Sequence, residues 1–142
     1  MQFFIDNIIL IIAAFLSGAL LVWPMATRGS GARIVNTLGA TQMLNSQNAL
    51  LIDIREAAEI AKGTAPQALH IPLSGLAAQI DDIKKRIQQG KGQAPVILMC
   101  QSGWRGMKAG RALRKAGIEH VFNLEGGFDA WQQAGLPVSK RS

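Results

Sequence analysis

Cysteine and histidine are scarce in this chain of 142 residues, which contains one Cys, Cys100, and two His. A single cysteine excludes an internal disulfide framework, and two histidines without a cysteine pair argue against a zinc site. A lone free thiol is easier to reconcile with a reducing compartment. The net charge of +6 comes without an aromatic and basic nucleic-acid-binding motif. We therefore expect no metal, no cofactor and no nucleic-acid partner.

Charge is missing from the first part of the chain. All 15 Lys and Arg residues lie from Arg28 onward, and residues 8–25 read IILIIAAFLSGALLVWPM without a single charge. A run of roughly 20 apolar residues is long enough to span a bilayer core. Trp23 is placed as an interfacial anchor would be, and Pro24 marks the expected helix end. A cleavable signal peptide fits less well, because no Lys or Arg precedes the run.

The sequence therefore predicts a transmembrane anchor over residues 1–25 and a short flexible linker over residues 26–33. Because Arg28 and Arg33 follow the span, the rule that positive residues stay in the cytoplasm predicts a single-pass plasma-membrane protein with its main domain in the cytoplasm. The lipid bilayer is then an expected partner. Small residues within the span suit packing against another helix, so a membrane protein complex is a second expected partner.

Strand-like and helix-like segments alternate over residues 34–142. The predicted strands, each a short apolar run, are 34–36, 50–54, 68–71, 96–99 and 120–123. The predicted helices, marked by apolar spacing and caps, are 37–44, 55–61, 73–89, 103–116 and 126–133. Such alternation favours an α/β domain with a mainly parallel sheet flanked by helices. In sheets of this kind, ligands bind at the carboxyl ends of the strands.

Cys100 ends the apolar run 95–99 and is followed by a loop and then by a helix. Backbone N–H groups of such a loop can point inward, and the helix presents its positive end there. A thiol in this position is expected to be a good nucleophile. The competing interpretation is an inert core cysteine. The candidate substrate-binding loop comprises Gln101, Ser102, Gly103, Trp104 and Arg105.

Three stretches of the chain carry a family resemblance. Residues 50–56, LLIDIRE, are similar to a family strand that ends in Asp-x-Arg-Glu. Residues 100–105, CQSGWR, are similar to the active-site loop Cys-x-x-Gly-x-Arg of the same family. Residues 124–131, LEGGFDAW, followed by GLPV at 135–138, match its C-terminal signature. From about residue 34 to 138 the chain resembles a single rhodanese domain, a sulfurtransferase module.

The resemblance implies a rhodanese fold and a sulfane sulfur carried as a persulfide on Cys100. It also implies transfer from a small donor such as thiosulfate to a thiol or cyanide acceptor. Anchored single-domain rhodaneses of bacterial inner membranes are a precedent for the predicted anchor. One position departs from the family, because Thr64 stands where a histidine is usual. This substitution predicts weaker support for the fold near Asp53.

Several expected roles remain open between a chemical and a structural interpretation. Gly103 is expected to permit a close backbone approach or a positive φ. Trp104 would line the pocket, meet an acceptor or simply pack. Arg105 would hold an anionic donor, close the loop through a carboxylate or be a solvated charge. Asp53 and Arg55 are supporting residues, which anchor the loop or form an ion pair.

The distance along the chain between Cys100 and Arg105 separates two classes of enzyme. Four residues stand between them, and related phosphatase and arsenate-reductase folds have a longer loop. The shorter loop favours transfer of a single sulfur atom over phosphoryl chemistry. Two alternatives belong to other classes: a low-turnover docking or regulatory module for a membrane protein complex, and redox or nitrosothiol sensing by the same thiol.

Overall fold

The computed structural model describes residues 1–28, 31–90 and 93–140. It divides the chain into two compact units, Met1–Ser30 and Gly31–Ser142. The predicted linker at 26–33 includes residues outside the described part. The linker therefore stays a prediction.

The first unit contains the helices α1, Gln2–Asp6, and α2, Ile8–Arg28. Asn7 separates the two helices: its φ of −114° and ψ of 17° end α1, and its side chain donates a hydrogen bond to the Phe3 carbonyl at 2.8 Å. Apolar side chains of α2 as far as Trp23 are largely exposed. Among the residues of this unit whose burial is described, as far as Pro24, none is buried.

The prediction of a transmembrane anchor is wrong. Across the described ranges, no helix combines the length and the apolar character that crossing a membrane requires. Helix α2 continues through Pro24 to Arg28, so Pro24 is not the helix end that the sequence predicted. The predicted single-pass location in a bacterial inner membrane, with a cytoplasmic catalytic domain, is therefore wrong as well. The lipid bilayer and a membrane protein complex, expected as partners on the same ground, lose their support.

The second unit is built on a five-stranded parallel sheet with the order β1-β5-β4-β2-β3. The prediction of an α/β fold with a parallel sheet flanked by helices is confirmed. Register pairs Asp53 on β2 with Met99 on β4, so that both strands end at the same edge of the sheet. The strands are β1, Arg33–Val35; β2, Leu50–Asp53; β3, Leu69–His70; β4, Val96–Met99; and β5, Val121–Leu124.

Helices cover both faces of the sheet. They are α3, Thr37–Ser46; α4, Ala57–Ile60; α5, Leu76–Gln89; α6, Trp104–Lys115; and α7, Gly127–Gln133. Because β4 is buried along its whole length, its alternate side chains enter two separate cores. One core holds Leu98 and Cys100 with side chains of α5 and α6, and the other holds Met99 with side chains of α3 and α7.

Two helices begin later than their patterns predict. The predicted helix at 55–61 is reduced to α4, because the buried Arg55 is held by contacts of its own and Glu56 becomes the N-cap. The predicted helix at 73–89 starts with a 3₁₀ turn over Leu73–Gly75 before α5 begins. In both cases the cap lies in the short connection after a strand, Glu56 after β2 and Pro72 after β3, where the chain must turn onto the face of the sheet.

Candidate functional site

Cys100 lies directly after β4, at the carboxyl edge of the sheet, and its side chain is almost completely buried. Its Sγ accepts a hydrogen bond from the backbone N–H of Gly103 at 2.8 Å. Gly103 has a φ of 107°, a conformation that L side chains rarely adopt. The loop therefore curls around the thiol and presents backbone N–H to it.

The start of α7 holds the same loop from the opposite side. The N–H of Phe128 donates to the Cys100 carbonyl at 2.7 Å, and the N–H of Asp129 donates to the Gln101 carbonyl at 3.2 Å. Gly127 approaches so closely that a Cβ there would collide with the Cys100 carbonyl. These contacts fix two loop carbonyls toward α7, which leaves the N–H groups that follow able to face the sulfur.

Gln101 connects the loop to the supporting residues through its side chain. Its Oε1 accepts a hydrogen bond from Nη1 of Arg55 at 3.1 Å, and its Nε2 donates to Oδ1 of Asp129 at 2.5 Å. The amide is thus engaged at both ends. Gln101 orients the loop backbone rather than offering a free polar group to a ligand.

Asp53 and Arg55 form a buried ion pair beneath the loop. Nη2 of Arg55 lies 2.8 Å from Oδ2 of Asp53, and Nε lies 3.0 Å from Oδ1. The same guanidinium donates to the Gly63 carbonyl at 2.7 Å and lies 3.9 Å from the centre of the Phe128 ring. A buried pair of this kind is tolerated because every charged edge has a partner. Arg55 therefore ties β2, α7 and the loop together.

Thr64 occupies the position where the family resemblance leads one to expect histidine. Its Oγ1 donates a hydrogen bond to Oδ2 of Asp53 at 2.7 Å. Its backbone forms an antiparallel bridge with Ser139, with two N–H to carbonyl bonds of 2.8 Å. Thr64 thus supplies a partner to the buried carboxylate itself, and the weaker support predicted near Asp53 is not found.

Arg105 closes the loop through a carboxylate. Its Nη2 lies 2.6 Å from Oε1 of Glu59, and its Nη1 lies 2.8 Å from Oε2. Both side chains are about one third exposed, at 34% and 32%. Of the three roles left open for Arg105, the structure shows this one.

Glu59 is a residue that the sequence patterns did not single out. Its Oε2 also accepts the N–H of Glu56 at 2.8 Å, which completes a capping box at the start of α4. The hydrogen bond to Arg105 is the main cause that lowers the pKa of Glu59 to about 2. The same bond raises the pKa of Arg105. The Glu-x-x-Glu spacing was a signal for the capping box, but no signal in the sequence pointed to Arg105.

Two loop residues face solvent instead of a closed pocket. Trp104, the first residue of α6, is 81% exposed, and Met107 one turn later is 47% exposed. Ser102 is also exposed. Trp104 and Ser102 are therefore open to solvent, and a pocket-lining role for Trp104 stays a prediction.

Asn123 is a second residue that the patterns missed. It lies on β5, is 4% exposed, and donates from Nδ2 to the Gly103 carbonyl at 2.9 Å. Its Oδ1 is buried without a hydrogen-bond partner among the described residues. A Cβ on Gly106 would collide with the Asn123 side chain. Asn123 therefore braces the residue whose N–H contacts Cys100 Sγ, and its signal was a polar residue inside an apolar strand.

Comparison with known proteins agrees with this geometry. The family model of the rhodanese-like domain matches residues 39–134. A sulfurtransferase of Allochromatium vinosum is 35% identical over 97 residues, which cover 68% of this chain and 84% of that protein. A human single-domain sulfurtransferase structure superimposes with a TM-score of 0.59 at 29% identity, covering 72% of this chain and 97% of the other.

A longer protein contains the same fold as one of its parts. The structure of a thiosulfate sulfurtransferase from Pseudomonas aeruginosa matches with a TM-score of 0.63 at 25% identity. The match covers 77% of this chain and 19% of that chain. Because the family model spans most of the chain and the parallel sheet has the matching fold, this chain belongs to the rhodanese-like domain family.

Proposed function

We propose that this protein is a sulfurtransferase that moves a sulfane sulfur from a small donor such as thiosulfate to a thiol or cyanide acceptor through a persulfide on Cys100. The observation that carries the proposal is the 2.8 Å hydrogen bond from the Gly103 N–H to Cys100 Sγ, at the carboxyl end of the central strand. Residues 34–142 are the proposed catalytic domain, and residues 26–33 are the proposed linker before it.

The reaction takes place in two balanced steps. The Cys100 thiolate attacks the sulfane sulfur of thiosulfate, the S–S bond of the donor breaks, and sulfite leaves with the bonding electrons. Cyanide or an acceptor thiolate then attacks the outer sulfur of the persulfide, and the Cys100 thiolate leaves. The backbone N–H of Gly103, already hydrogen-bonded to Sγ, stabilises the negative charge of the thiolate without reorganisation. The hydrogen bonds from the start of α7 to the Cys100 and Gln101 carbonyls keep the loop closed through both steps.

Two relatives support this type of chemistry. The Allochromatium vinosum protein and the human single-domain protein both carry the name sulfurtransferase, at 35% and 29% identity. The loop of four residues between Cys100 and Arg105 is narrow. It suits one sulfur atom better than a tetrahedral oxyanion.

Thiocyanate formation from thiosulfate and cyanide tests the proposal with the full chain. The wild-type protein is expected to form thiocyanate at a rate proportional to enzyme concentration. The Cys100→Ser variant keeps the size and burial of the side chain but offers only a poor nucleophile, and it is expected to lose the activity by at least about a thousandfold. A Cys100→Ser variant with wild-type turnover, or a folded wild-type protein inactive with thiosulfate and organic donors alike, would overturn the proposal.

A further inference from the structure

The charge at the mouth of the site is already balanced. Arg105, the last residue of the loop, has both terminal nitrogens on the two oxygens of Glu59. A bidentate pair of this geometry fixes the plane of the guanidinium and cancels its field at longer range. A donor that approaches the loop therefore meets an ion pair where a free cation would otherwise stand.

The second guanidinium at the loop is also committed. Arg55 contacts Gln101 but is paired with the buried Asp53. Gln101 contacts a further carboxylate, that of Asp129. Among the described contacts of the loop, two guanidinium groups thus stand against three carboxylates. Glu56 lies near enough to add to the negative potential at Arg105.

This excess of one negative charge affects which kind of donor the proposed reaction uses. Thiosulfate carries two negative charges near neutral pH, whereas an organic thiosulfonate carries one. Of the three carboxylates, that of Asp129 is the one that pairs with neither guanidinium in these contacts. It repels each negative charge on the donor, and the guanidinium groups of Arg55 and Arg105 are both engaged and do not offset it. We propose that Glu59 determines donor specificity: by holding Arg105, it makes the site prefer sulfane-sulfur donors of low charge over the thiosulfate dianion.

The inference rests on the proposed function and changes no bond in it. With methanethiosulfonate, the Cys100 thiolate attacks the sulfane sulfur, the S–S bond breaks, and methanesulfinate leaves with the bonding electrons. Methanesulfinate leaves with one negative charge, whereas sulfite leaves with two. Glu59 takes no part in the bond changes and acts through Arg105.

The test is the Glu59→Gln variant of the full chain. Glutamine keeps the size of the side chain, and its Oε1 still accepts the Glu56 N–H of the capping box. It removes one negative charge and releases the charge of Arg105 toward the loop. The KM for thiosulfate is expected to fall about fourfold, and that for methanethiosulfonate about twofold, because the dianion gains twice the Coulomb energy. The kcat is expected to stay within about twofold with both donors.

Two further variants separate this effect from a general change of charge or of loop stability. Glu119→Gln removes an exposed carboxylate before β5, at the opposite edge of the sheet, and is expected to leave the ratio of the two KM values unchanged. The double variant Glu59→Gln/Arg105→Gln has no cation to release. Its ratio of KM values is therefore expected to return close to that of the wild type.

Different outcomes remove different parts of the account. If Cys100 gains sulfur but Glu59→Gln leaves the ratio of KM values unchanged, Glu59 does not select the donor and only this inference fails. If Glu59→Gln lowers kcat strongly with both donors, the pair holds the loop in place and the inference also fails. If neither donor places sulfur on Cys100 of the folded wild-type protein, the proposed function fails and this inference fails with it.

Discussion

At the scale of single residues, Cys100 is held in place by groups that need not contact a sulfur donor. Asn123 holds the Gly103 carbonyl, and the N–H of Gly103 holds the sulfur. The amide of Asn123 costs free energy of folding, because its Oδ1 is buried without a partner among the described residues. The cost is understandable if the amide fixes the conformation of Gly103, whose φ is 107°.

Replacing Asn123 tests that role. Asn123→Leu removes the donor to the Gly103 carbonyl, which is expected to lower the free energy of unfolding by about 1–3 kcal/mol. The rate of sulfur transfer to Cys100 is expected to fall about tenfold, because the loop N–H loses its fixed direction. Steady-state kinetics should place the loss in kcat, with KM little changed. A folded Asn123→Leu protein with wild-type kcat would contradict the positioning role.

Gly127 provides a second prediction at the scale of a residue. Both Gly127 and Gly135 have positive φ, 56° and 70°, but only Gly127 lies against the Cys100 carbonyl. Gly127→Ala is expected to cost about 2–4 kcal/mol of stability, and Gly135→Ala, with open space around it, about 1 kcal/mol. Urea unfolding of the two variants measures the difference. Equal losses would show that close approach to the loop is not what requires glycine at 127.

At the scale of elements, the ion pair of Glu59 and Arg105 connects α4 to the start of α6. The pKa of Glu59 is lowered from 4.5 to about 2, chiefly by its hydrogen bond to Arg105. A carboxylate with a lowered pKa stabilises the fold above its unfolded pKa and loses that contribution as pH falls through the folded value. Since both side chains are about one third exposed, solvent screening limits the contribution to about 1 kcal/mol.

The pH dependence of stability tests this connection. The difference in unfolding free energy between wild type and Glu59→Gln is expected to be constant above about pH 4.5 and to shrink between about pH 4.5 and 2. Urea unfolding at a series of pH values measures it. A difference that persists unchanged to pH 2, or that appears only above pH 6, would show that this pair does not provide the stabilisation.

Much of the fold follows from elements that a pattern can identify. Short apolar runs alternating with amphipathic segments predict the parallel sheet, and the run that ends at Cys100 predicts the position of the thiol. The partner of Arg105 could not be predicted, because Glu59 lies 46 residues away and meets it only after α4 and α6 have packed. The role of Asn123 could not be predicted for a related reason. A single polar residue in an apolar strand indicates no partner until the loop that it contacts has been placed.

At the scale of the whole molecule, the second unit contains the family fold and the candidate site. The first unit shows the limit of reading function from an uncharged run. Its apolar residues suggested a membrane span, yet among the described residues no helix has the necessary length and apolar character. An uncharged run does not show where its helices begin and end: α1 ends before Asn7, and α2 continues through Pro24 to Arg28. The chemistry proposed for the second unit does not depend on that first prediction.

The central claim is that Cys100 carries the transferred sulfur, and intact mass spectrometry of the full chain tests it most directly. After incubation with methanethiosulfonate and removal of the donor, the wild-type protein is expected to gain one sulfur atom, located on Cys100 by peptide mapping. Added cyanide should remove that atom and release thiocyanate. The Cys100→Ser variant should gain none. A folded wild-type protein that gains no sulfur from this donor or from thiosulfate, or a gain that persists in Cys100→Ser, would contradict the account.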